Sequence, residues 1–78
     1  MATSLKNLAG LYDSQGKYAK AEPLYQGALA IYKKALGPEH PGVATCLKNY
    51  ASLLRKMDRS QEAGQLEARA QAIRAKSA

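Results

Sequence analysis

Residues 2–12 read ATSLKNLAGLY and residues 44–54 read ATCLKNYASLL, so a single stretch returns 42 positions later with few changes. The echo continues downstream: Ala21, Leu24, Ala28, Ala30 and Ile31 come back as Ala63, Leu66, Ala70, Ala72 and Ile73, and Lys34 as Lys76. A period of about 20 to 50 residues is the mark of a stacked repeat, in which each unit is too small to bury its apolar face alone and does so on its neighbour. The fold therefore turns on what one unit looks like and on which faces two units leave uncovered.

Within the first unit, Leu5, Leu8, Ala9, Leu11 and Tyr12 recur at spacings of three and four, as do Ala21, Leu24, Ala28, Ile31 and Ala35. Those are amphipathic helix stripes. Gly16 separates them, where a left-handed residue ends a helix without a Cβ clash. The spacing predicts helices over 2–15 and 18–36, with Pro23 bending the second because it removes a backbone hydrogen bond. The run Gly37-Pro38-Glu39-His40-Pro41-Gly42 stops one helix and starts another, Pro41 being suited to a first turn where its missing N–H has no partner to lose. The second pair is expected over 42–57 and 59–75, with Asp58 and Gln61 forming a capping box at the start of the last helix. The fold class is all-α, two antiparallel helix pairs in a short α-solenoid.

Composition narrows the function. The chain has 78 residues, a net charge of +6, one cysteine and one histidine. No apolar run approaches the roughly 20 residues of a membrane span, and no signal-peptide pattern opens the chain. Lone Cys46 has no internal partner for a disulfide, which fits a reducing, cytoplasmic setting. His40 sits in the Pro-flanked connection and reads as a helix-start residue rather than a base. No Ser/His/Asp set, no Cys/His metal spacing and no phosphate-cradling glycine loop can be assembled, so no enzyme, cofactor or metal is expected. The basic charge raises nucleic acid or an anionic membrane surface as a partner. Arg69, Arg74 and Lys76 fall on the last helix, however, away from Lys48 and Arg55, and no nucleic-acid motif is present.

Leu5, Leu8, Ala9, Tyr12, Ala21, Tyr25 and Ala28 fall at the spacing of the tetratricopeptide repeat signature. The chain resembles that family over almost its whole length. Small residues at 9, 21 and 28 would let two helix axes approach closely. The second unit keeps Leu47, Ala51, Leu54, Ala63 and Ala70 but has Tyr50 for Leu8, Ser60 for Tyr18 and Glu67 for Tyr25, and so looks like a degenerate or terminal repeat. The usual period is about 34 residues. The extra length lies between Lys33 and Val43, and this longer unit is similar to the variant of kinesin light chains. The expected organisation is one domain over 1–78, with repeat 1 at 2–43 and repeat 2 at 44–78 as a cap.

The resemblance implies a non-enzymatic scaffold that binds an extended peptide in a groove lined by the first helix of each repeat. Carried onto this chain, the groove positions are Thr3, Lys6, Asn7, Gly10, Asp13 and Ser14, then Thr45, Lys48, Asn49, Ser52, Arg55 and Lys56. Asn7 and Asn49 are the sharpest candidates, since an amide side chain donates to a peptide carbonyl and accepts from its N–H. Lys6, Lys48, Arg55 and Lys56 add a positive field suited to an acidic partner, and Ser52 completes the stripe.

The alternative is self-assembly. Leu8 and Leu11 lie on a side of the first helix where an upstream repeat normally packs. Two repeats fall short of the roughly three an independent stack needs. A homodimer through that edge, or a domain swap through the 37–42 connection, would cover it. The last helix shows only Ala63, Leu66, Ala70 and Ile73 as a narrow apolar stripe and reads as a polar C-terminal cap.

Overall fold

The computed structural model of the chain describes residues 2–77, with side chains described over 4–76. Four helices follow in order: α1 (Ala2–Ser14), α2 (Tyr18–Leu36), α3 (Pro41–Lys56) and α4 (Ser60–Ser77). No strand occurs among the described residues. Helix α2 packs on α1 and on α3, α3 packs in turn on α4, and α1 touches α3 only lightly. This is the stepwise contact order of a solenoid, each helix meeting its sequence neighbours.

The two hairpin turns are built alike. At the end of α1, the Lys17 N–H donates to the Tyr12 carbonyl at 2.8 Å and the Gly16 N–H to that of Asp13 at 3.0 Å. At the end of α3, the Arg59 N–H donates to the Leu54 carbonyl at 2.8 Å and the Asp58 N–H to that of Arg55 at 3.2 Å. Both are Schellman closures, which satisfy the last carbonyls of a helix and require a left-handed residue after it. Gly16 supplies it at φ 77 and Asp58 at φ 62. The expected capping box of Asp58 and Gln61 is therefore corrected. Asp58 is spent on terminating α3, whereas an N-cap needs extended backbone, and α4 begins two residues later at Ser60.

The connection between the pairs is equally explicit. Gly37 adopts φ 94 and its N–H closes on the Lys33 carbonyl, ending α2. His40 is the N-cap of α3, its Nδ1 accepting from the Gly42 N–H at 2.9 Å, with Pro41 in the first helical position. Pro23 falls inside α2 on its exposed side, and α2 runs as a single helix from Tyr18 to Leu36.

Two apolar clusters fill the interior. One joins Ala9, Ala21, Tyr25, Tyr50, Ala51, Leu53, Leu54 and Ala63 and so spans all four helices. The other gathers Val43, Ala44, Leu47, Ala70 and Ile73, with Leu29 and Tyr32 of α2 packed against it. Ala9, Ala21, Ala28 and Ala63 are fully buried, as close helix contacts demand. Tyr25 and Tyr50 stack with ring centroids 6.1 Å apart. Offset stacking of this kind adds about 0.5 to 1.5 kcal/mol beyond the area buried.

Candidate functional site

Helices α1 and α3 carry the expected groove residues, and the structure divides them. Asn7, Ser14, Lys48 and Ser52 are exposed, while Lys6, Gly10 and Asn49 are half-buried. The side chain of Thr3 lies outside those described. Thr45 is exposed but its hydroxyl donates to the Pro41 carbonyl of its own helix at 3.3 Å.

The charges do not form one positive field. Lys56 Nζ sits 2.8 Å from Asp13 Oδ1, tying α3 to α1. This hydrogen bond holds the Lys56 ammonium above its ordinary value, with the attraction of the carboxylate charge adding to it. Arg55 Nε donates to Glu67 Oε1 of α4 at 2.7 Å. Lys6 and Lys48 are left as the groove cations without an ion pair among the described residues. Asp13 and Arg55 occupy equivalent places in the two units with opposite charge.

Buried Cys46 donates weakly to the Tyr25 carbonyl, Sγ to O 3.8 Å. Burial pushes its thiol upward and the positive charge of Lys6 opposes the shift. Such a thiol stays protonated and inert at neutral pH. Asn7 and Asn49 stand at equivalent places in α1 and α3, and neither amide has a hydrogen-bond partner among the described residues.

A polar network on the other side of α3 was not legible in advance. The Tyr50 hydroxyl donates to Glu22 Oε2 at 3.0 Å and accepts from Gln26 Nε2 at 2.8 Å. Arg59 then bridges Glu22, at 2.6 Å through Nη1, and Glu62, at 2.6 Å through Nε. Burial is the main reason the Tyr50 phenol titrates above its ordinary value. The network joins α2, α3, the α3–α4 turn and α4. Apart from the Arg59–Glu62 pair, its bonds join residues 24 to 37 positions apart, beyond the reach of any local pattern.

The two ends of the stack differ in kind. Leu8 and Leu11 of α1 are 40% and 53% exposed, yet their counterparts in α3, Tyr50 and Leu53, are 8% and 0% exposed. The face that α3 packs against the first pair is therefore the face that α1 leaves open. At the far end the relation is reversed. Tyr25, Leu29 and Tyr32 of α2 support α3, and their counterparts in α4 are Glu67, Gln71 and Arg74. Helix α4 presents charge and amide where α2 presents two rings and a leucine.

Among the described residues no group of His, Cys, Asp and Glu is placed to hold a metal ion, and no helix is long and apolar enough to cross a membrane. Comparison with known proteins gives one family. A sequence model described as the tetratricopeptide repeat matches residues 1–76. No curated protein matches the chain.

Proposed function

The chain belongs to the tetratricopeptide repeat family, whose members are in general protein–protein interaction modules, and from that premise we propose that it is a non-enzymatic scaffold binding an extended peptide along α1 and α3. The observation that carries this reading is the pair Asn7 and Asn49, equivalent in the two repeats and unpartnered among the described residues. Each amide would take one peptide unit by a donated and an accepted bond. Lys6 and Lys48, one helical position earlier in each repeat, would face acidic side chains of the partner. Arg55 and Lys56 are already paired with Glu67 and Asp13, so acidity adds less to affinity than the net charge suggests. Ser52 completes the same face. A cytoplasmic location is part of the proposal.

The test is fluorescence polarisation against a labelled library of extended acidic and neutral peptides. Replacing Asn7 and Asn49 by Ala should remove binding while the helical signal and the melting temperature stay unchanged. Binding that survives the double replacement would place the ligand elsewhere.

A second reading is favoured by the exposure of Leu8 and Leu11 opposite the burial of Tyr50 and Leu53. Here the α1 face recruits a second copy as a homodimer. Light scattering across a concentration series reads it directly. Mass should rise with concentration and return to 8.4 kDa in Leu8→Glu/Leu11→Glu, and a constant monomer mass would dispose of it.

A further inference from the structure

The extra length of the first repeat builds a pocket. Lys33, Leu36 and Pro38 from the end of α2 and the connection, with Arg69, Ala72 and Ile73 of α4, line a cavity of about 730 Å³. Its volume falls within the roughly 300 to 1,000 Å³ of small-molecule sites. It lies where α2 ends, α3 begins and α4 ends, and it uses none of the groove asparagines. Val43, Leu47 and Ile73 make an apolar floor continuous with the core, and Leu36 stands at the rim with 44% of its surface exposed.

Charge at the pocket is one-sided. Lys33, Arg69 and Lys76 contribute three cations against the single carboxylate of Glu39, which pairs with Lys76. Lys33 and Arg69 have no ion pair among the described residues. Lys33 also offsets the negative carboxyl end of α2, a role that explains one lysine but not the facing arginine on α4.

The backbone of the connection decides what kind of ligand fits. Pro38 and Pro41 have no N–H. The amides of Gly37, His40, Gly42 and Val43 are all donated internally, to the Lys33 carbonyl, the Gly37 carbonyl, His40 Nδ1 and the His40 carbonyl. Glu39 is then the one residue of the 37–43 connection whose N–H has no acceptor among the described residues, too little to pair an extended peptide backbone, so apolar contact and ionic contact are the main interactions on offer. We propose that the pocket binds a compact anionic amphiphile, its aliphatic body against Leu36, Pro38, Ala72 and the edge of Ile73 and its headgroup held by Lys33 and Arg69.

The chemistry of the headgroup, carboxylate or phosphate, is shared by two sources that the experiment separates. Titration calorimetry of the whole chain with decanoate, with decyl phosphate and with neutral decanol, each below its micellar concentration, reads the site. The proposal expects saturable one-to-one binding of at least one anion, with decanol at least tenfold weaker, and the tighter anion identifies the source. Lys33→Ala/Arg69→Ala should weaken the anion by roughly tenfold or more, about 1.4 kcal/mol. Ala72→Trp should fill the cavity and abolish binding, with circular dichroism confirming that both variants remain folded. Asn7→Ala/Asn49→Ala should bind the anion as the parent does. Equal binding of decanol, binding indifferent to both pocket variants, absence of saturation with either anion, or loss of binding in Leu8→Glu/Leu11→Glu would each overturn the proposal. Displacement of the bound anion by peptides that occupy the asparagine groove would overturn its independence from that groove.

Discussion

Leu11 and Leu53 hold equivalent places in the two repeats and differ only in what covers them, so truncating each to Ala measures that difference. Leu53 is wholly buried, and Leu→Ala at such a site costs about 2 to 5 kcal/mol through lost transfer energy and the cavity left behind. Leu11 keeps 53% of its surface in water. Full burial of a leucine is worth about 1.5 to 3 kcal/mol, so under half of that is at stake at Leu11, on the order of 1 kcal/mol at most. In dilute solution Leu53→Ala should therefore be the costlier change by about 2 kcal/mol. For a chain of this size each kcal/mol moves the melting temperature by about 4 to 8 °C, so the two variants should melt roughly 10 °C apart. Concentration then separates a free edge from a dimer interface. If a second copy covers α1, the parent's melting temperature rises with concentration by mass action and that of Leu11→Ala rises less. Thermal unfolding by circular dichroism at micromolar and near-millimolar chain concentration makes both comparisons. Equal loss in the two variants when dilute would refute the claim that the faces differ, and a concentration-independent parent would refute the dimer.

Three further outcomes follow from the backbone and from burial. Asp58→Gly should stabilise by about 0.5 to 1 kcal/mol, because Asp58 holds a left-handed conformation that costs a Cβ-bearing residue about 1 to 2 kcal/mol, less the chain entropy that glycine loses. Asp58→Asn removes the same charge and keeps the Cβ, so urea midpoints equal for the two variants would assign the gain to charge instead. Gly37→Ala should destabilise by about 1 to 3 kcal/mol from backbone strain alone, at φ 94 and ψ 150 with no atom within 4 Å of the added carbon; an unchanged urea midpoint would mean the connection relaxes freely. Stability should fall as pH rises through and above about 9. Cys46, Tyr25 and Tyr50 all titrate above their ordinary 9.0, 10.0 and 10.0, mainly through burial. The unfolded chain therefore releases these protons first, binds fewer than the native chain in that window, and is favoured by rising pH. Urea midpoints from pH 7 to 10.5 read this, Cys46→Ala should flatten the first part of the decline, and a level profile would contradict the burial argument.

Much of this architecture is written in local spacing. The stripes of three and four place four helices, the 42-residue offset pairs them, and Gly16, Gly37 and Pro41 mark where they stop and start, because backbone conformations open to few residue types leave their trace in the residues themselves. The polar character of α4 was legible for the same reason: Glu67, Gln71 and Arg74 stand where Tyr25, Leu29 and Tyr32 stood one repeat earlier. Sequence alone went astray at Asp58. A residue suited to an N-cap is also among the few that tolerate a left-handed turn, and only the closure of α3 onto the Leu54 and Arg55 carbonyls decides between them. It also could not separate free from paired cations, since Lys56 meets Asp13 and Arg55 meets Glu67 only once the helices are laid side by side. The Tyr50, Glu22 and Arg59 network and the pocket between the 33–43 segment and α4 belong to the tertiary structure for the same physical reason. Periodicity reports which face of a helix is apolar, whereas ion pairs and cavities depend on which two faces meet.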